Sequence, residues 1–170
     1  MIAAVDYVTG RQEFRNATIG LLSICMGAAS TTYAYGLADS LQSRAQVKAL
    51  VAVQPLLYRH FVKALGMPEF LLRSGAKVSQ TRLGFDIGKP NFIDDAAEVS
   101  VPTLLIQNKN DPWTDLSMVQ DYYDALTVEK AQRMLDLEAS RFAAYDYIGR
   151  EPAVFADWFD QHLTKEEDSQ

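Results

Sequence analysis

Four short apolar runs, residues 18–24, 47–53, 101–107 and 132–137, alternate along the chain with segments whose apolar residues recur at helical spacing. The first three are apolar at nearly every position, the pattern of strands buried on both faces. Strands that alternate with helices pair side by side in one direction, with each helix crossing over the sheet in the right-handed sense. The expected class is therefore α/β, with about four parallel strands, flanking helices and a helical cover.

Punctuation supports this order. A short helix over 1–9 places Ile2, Val5 and either Tyr7 or Val8 on one side and ends at Gly10. A helix over 26–37 follows the first strand, and Pro55 closes the second. Residues 56–98 form the helical cover, with segments at 57–65 and 68–74, a Gly- and Pro-punctuated stretch at 77–91 and a short helix at 94–98. Pro102 is tolerated at the start of the third strand. Thr114 is the expected N-cap of a helix carrying Leu116, Val119, Tyr122, Tyr123 and Leu126. A last helix over 151–163 bears Val154, Phe155, Trp158, Phe159 and Leu163 on one stripe. One domain, 1–163, with a polar tail at 164–170, is the expected organisation.

Charge and cysteine usage exclude several functions. The 170 residues carry a formal charge of −6 with their Lys and Arg scattered, which gives no basic footprint for nucleic acid or anionic lipid. A single cysteine rules out an internal disulfide and a zinc cluster and suits a reducing cytosol. The N-terminus lacks a signal peptide's basic and apolar regions, and no run is long enough to span a bilayer. Neither GxGxxG nor GxxxxGK[ST] follows the first strand, which argues against a nucleotide site. A soluble, cytoplasmic protein without cofactor is expected.

The chemistry-bearing feature is Ser23-Ile24-Cys25-Met26-Gly27, where the first strand turns into a helix. Such a turn strains its central residue, and small residues two positions to either side leave it room. Cys25 is then lifted to the sheet's C-terminal edge, at a helix N-terminus that favours a reactive thiolate. The competing reading is a small, inert core cysteine. Asp111 follows the third strand in Asn108-Lys109-Asn110-Asp111-Pro112, either as a functional acid or as an ordinary turn residue. His60 lies in the cover, and His162 belongs to the last helix as a solvated helix-end residue.

Together these residues resemble the α/β-hydrolase superfamily, in particular its dienelactone-hydrolase branch, whose nucleophile is a cysteine. The resemblance runs from about Ile2 to Leu163 and corresponds to the family's last four strands and the helix before its nucleophile turn. It implies Cys25 as nucleophile, Asp111 as acid and the Met26 N–H as an oxyanion donor. Apart from the resemblance, His60, in the cover that could overhang Cys25, and Trp113 are the expected substrate-binding residues, with a non-standard Cys25–His60 pair as the alternative to a surface or capping histidine. It also implies a histidine before Arg141-Phe142, where this chain has Ser140; residues 138–147 contain no histidine. The early strand that would supply a second oxyanion donor is absent.

Without the family's N-terminal strands, the stretch from Thr18 to Ile24 becomes an apolar edge with no protecting charge or proline. A homodimer, or a separate chain supplying the missing half, would cover it. Two functions follow: a hydrolase of small esters or lactones using Cys25, or an inactive relative serving as a binding or assembly module.

Overall fold

A computed structural model describes residues 1–84, 86, 87 and 91–164; most of the expected tail, and part of the 77–91 stretch, lie outside the described residues. Strands β1 (Ile19–Ile24), β2 (Val47–Val53), β3 (Thr103–Asn108) and β4 (Lys130–Leu135) form one parallel sheet in the order β1-β2-β3-β4. Among the described residues, seven α-helices join and flank them: α1 (Ile2–Thr9), α2 (Met26–Tyr35), α3 (Tyr58–Ala64), α4 (Glu69–Leu83), α5 (Leu116–Ala125), α6 (Arg141–Arg150) and α7 (Ala153–Leu163).

The period of two along each strand sorts the core into two layers. Leu21, Leu50 and Leu105 pack with Val5, Tyr35, Val119 and Tyr122 under α1, α2 and α5. Val51, Val53, Leu104 and Ile106 pack with Ile148, Trp158 and Phe159 under α6 and α7. Both faces of β2 and β3 are thus covered, which is why residues 49–53 and 104–106 are continuously apolar. Gly20 admits α7 to the edge of this layer, since a Cβ there would lie 2.5 Å from the Phe159 ring.

Several expectations change. β4 starts and ends two residues earlier than its apolar run suggests, because pairing with β3, from Thr103↔Lys130 to Asn108↔Leu135, sets the bounds of a half-exposed edge strand. α4 continues to Leu83, so residues 77–83 are helix rather than loop, and Gly84 ends it in the left-handed conformation. The helix expected at 94–98 is one 3-10 turn, Ala96–Glu98. The segment before the last helix is itself helical from Arg141. Asp115, not Thr114, caps α5: its side chain accepts from the Ser117 N–H at 2.9 Å.

β1 is an edge, as the missing-neighbour argument expects. The N–H groups of Ile19 and Cys25 donate toward β2, to Gln46 O and Val53 O. Alternation then turns the main chain of Gly20, Leu22 and Ile24 outward. Leu22 and Ile24 are also 40% and 38% exposed. Among the described residues no helix is long and apolar enough to cross a membrane.

Tyr122 is fully buried, with its hydroxyl 3.0 Å from Thr32 Oγ1, and burial pushes its phenol up to about 12. Burial raises Tyr35 as well, with Tyr122 beside it adding to the effect. Ionisation is therefore easier in the unfolded chain, whose phenols titrate near 10. The stability these groups contribute is complete below pH 10 and is lost as pH rises toward 12. Ultraviolet titration at pH 11 should find these two phenols protonated for as long as circular dichroism reports the fold.

Candidate functional site

The strand–turn–helix around Cys25 has the strained geometry its sequence suggests. Cys25 has φ 60° and ψ −129°, a left-handed conformation rare for a side-chain-bearing residue. Its N–H donates to Val53 O at 2.9 Å and its carbonyl accepts from Ala28 N–H at 3.1 Å, so the end of β1 and the start of α2 hold it from both sides. Ser23 is buried and its hydroxyl lies 2.8 Å from Thr31 Oγ1. The steric argument for Gly27 does not apply: a Cβ there would meet nothing within 4 Å. Met26 opens α2, which places its N–H among the first-turn donors that have no partner inside a helix.

Asp111 lies three residues beyond β3 and is buried. Its Oδ1 accepts from the Trp113 N–H at 2.9 Å, and its Oδ2 accepts from the Thr114 hydroxyl at 2.7 Å and from Arg141 at 2.5 Å. Arg141 is equally buried and also donates to Thr114 Oγ1 at 3.1 Å and to Gln54 O at 2.6 Å. Gln54, itself at φ 46°, returns a bond from its Nε2 to Arg141 O at 2.9 Å. An arginine thus occupies the Asp111 carboxylate. Sequence reasoning missed this pair. The only signal was that Arg141 directly follows Ser140.

Ser140 is held by main-chain clamps: Asn108 Nδ2 donates to Glu138 O at 2.9 Å and to Ser140 O at 3.2 Å. One turn after Arg141, Tyr145 brings its buried hydroxyl to Cys25 and the Gln54 side chain, without a well-formed hydrogen bond to either. Burial pushes the Tyr145 phenol up to about 12, against the opposing pull of Arg141, whose guanidinium lies 5.8 Å from its ring centre. Tyr145 is thus a titratable neighbour of Cys25.

The two histidines lie on different helices, His60 on α3 and His162 on α7. His60, on α3, borders a hollow of about 360 Å³ with Lys63, Pro112, Trp113, Thr114 and Asp115. It therefore sits against the loop that follows β3. Burial, with Arg59 nearby, holds its imidazole below the usual range, while Asp115 opposes the shift. His162 corrects the expectation of a solvated residue: it is buried and packs on Trp158 with ring centres 4.2 Å apart. Trp113 joins cover to body, meeting Phe61 and Phe142 edge-on at 5.7 Å and 6.2 Å.

Beside the Cys25 turn, α2 and the cover line an apolar cavity of about 320 Å³, formed by Met26, Ala29, Tyr33, Leu57, Tyr58 and Phe92 among others. Its lining carries no charged side chain, so it suits an uncharged ligand group. A larger hollow of about 450 Å³, along α6 between Glu138 and Glu151, holds none of the expected site residues. Among the described residues, no cluster of His, Cys, Asp and Glu could hold a metal ion.

No family model matches the sequence. No curated protein matches it either. Solved structures do. A dienelactone hydrolase from Anabaena variabilis superposes with a TM-score of 0.62 at 16% identity, over 95% of this chain and 57% of its own. An esterase from Pyrococcus furiosus gives 0.65 at 17%, over 95% and 60%. An acetyl xylan esterase from Paenibacillus sp. R4 gives 0.68 at 16%, over 95% and 51%. The chain thus has a truncated α/β-hydrolase-like fold and spans between half and three-fifths of the length of these structures.

Proposed function

We propose that the protein is a hydrolase-fold binding module for small, uncharged ester- or lactone-like molecules, in which Cys25 keeps the nucleophile's place but the acid–base relay is gone. The observation that carries this reading is the buried Asp111–Arg141 pair. A relay acid must orient and stabilise an imidazolium, and Asp111 already accepts three hydrogen bonds, one of them from a buried cation. The test is hydrolysis of p-nitrophenyl acetate and of a simple lactone. Acylation of Cys25 would release the alcohol and leave a thioester, which persists unless a base activates water. The expected result is at most one equivalent of p-nitrophenol per chain and no sustained turnover. Turnover orders of magnitude above that of a free thiol would overturn the reading.

A second reading has its own support, since the strained Cys25 and the adjacent Tyr145 hydroxyl both suit thiol chemistry. In it the protein is a slow ester or lactone hydrolase of the dienelactone-hydrolase type, with Cys25 as nucleophile, Met26 N–H as oxyanion donor and Asp111 as acid. Cys25→Ala would then abolish the residual turnover.

In either case the outward main chain of β1 calls for a cover, and a homodimer is the simplest. Light scattering of the purified chain should give about twice the chain mass; a well-folded monomer at micromolar concentration would refute the dimer. The lone free thiol accords with a reducing, cytoplasmic setting.

A further inference from the structure

The open edge of the sheet is regular, apolar and uncharged. Beyond the register shift between Ile19 and Gly20, β1 pairs evenly with β2 as far as Ile24, so its outward N–H and C=O groups at Gly20, Leu22 and Ile24 form an unbroken row. Natural sheets blunt such a row with lysine, proline or inward-pointing charge, and β1 carries none of these. The neutrality extends beyond the strand: residues 16–38, which include all of α2, contain no Asp, Glu, Lys, Arg or His, although the whole chain has a net charge of −6.

The side chains along this edge fall into a pattern. Alternation puts Gly20, Leu22 and Ile24 on one face of the sheet, the face under α7. Above Gly20 the place of a side chain is taken by the Phe159 ring, while Leu22 and Ile24 stay exposed.

We propose that β1 pairs antiparallel with β1 of a second copy about a two-fold axis at Leu22, joining the two sheets into one. This rests on the homodimer reading and assigns its surface. A two-fold axis normal to the sheet makes identical edge strands run antiparallel. In a register with Leu22 opposite Leu22, Gly20 faces Ile24 and all three outward residues meet one another. Residues facing in this way exchange both main-chain bonds, so about six hydrogen bonds form. The side chains suit the same register. Leu22 packs on its own equivalent, and Ile24 arrives where Gly20 projects nothing and the Phe159 ring offers an apolar contact. Charge favours a second copy as the occupant, since self-pairing sets every charge against its equivalent and this strand has none to oppose. The register also sets Ile19 of the second copy across from Cys25, on the side of the turn that no strand of this chain covers.

The test combines light scattering with hydrogen exchange of the main-chain amides in the full chain. The expected result is a dimer in which the Gly20, Leu22 and Ile24 amides exchange slowly. Leu22→Asp would set two carboxylates face to face at the axis and should weaken the dimer about a hundredfold. Leu22 is exposed, so the variant should keep its fold, which circular dichroism would check. Should it fail to fold, exchange in the unaltered dimer decides alone: slow exchange at these amides supports the pairing and fast exchange overturns it. A dimer that Leu22→Asp leaves intact, with these amides exchanging fast, would overturn the pairing and move the homodimer to another face. A well-folded monomer would overturn both readings and leave the edge to a different chain.

Discussion

Arg141→Ala should destabilise the fold by about 3–5 kcal/mol, because it leaves the Asp111 carboxylate in the interior without its cation. Both side chains are at most 2% exposed, so water cannot take the guanidinium's place. The loss would extend beyond the pair. Arg141 also holds Gln54 O, and through it the end of β2 stays joined to the first turn of α6. Urea denaturation would measure the change as a lower midpoint with an unchanged slope. The double variant Asp111→Asn with Arg141→Met removes both charges and should recover most of the stability, since a buried pair contributes little net once its desolvation is counted. Equal destabilisation in the single and double variants would mean that packing, not charge, holds this corner.

Cys25→Gly should act in the opposite direction. A residue held at φ 60° and ψ −129° costs about 1–3 kcal/mol when it carries a side chain, and glycine adopts this region freely. Glycine's greater freedom in the unfolded chain takes back about 0.5–1 kcal/mol. A net gain of about 1 kcal/mol is expected, visible as a raised urea midpoint, with loss of the single thiol titre as the check on identity. A stabilised Cys25→Gly protein would show that the turn holds its cysteine at the expense of stability. An unchanged or lowered midpoint would show that the side chain's interaction with Tyr145 compensates the strain.

Most of the fold was legible because β1, β2 and β3 are apolar on both faces and their helices carry clear stripes. β4 was less so: Arg133 and Met134 are exposed, and pairing with β3 rather than hydrophobicity fixes its ends. The reach of α4 was hidden by Gly75, which reads as a breaker yet lies mid-helix, where a Cβ would come within 3.3 Å of the Tyr58 hydroxyl. The strained strand-to-helix turn at Cys25 could be read because its signal is local. Arg141 could not, since its role exists only once α6 brings it against a carboxylate 30 residues away, and a lone arginine after Ser140 does not announce a buried partner. Tyr145 was hidden for the same reason.

The sheet runs in chain order, so each strand has only to find its predecessor, and the connections differ in length: residues 25–46, 54–102 and 109–129. The longest of them carries the cover. Closing a loop costs entropy that grows only with the logarithm of its length, about 0.6 kcal/mol for each doubling. The detour through α3 and α4 therefore burdens the meeting of β2 and β3 hardly more than a simple crossover would. Lengthening, trimming or exchanging it is a small perturbation to the sheet. In this architecture the segment that meets the outside world can vary almost independently of the framework that folds.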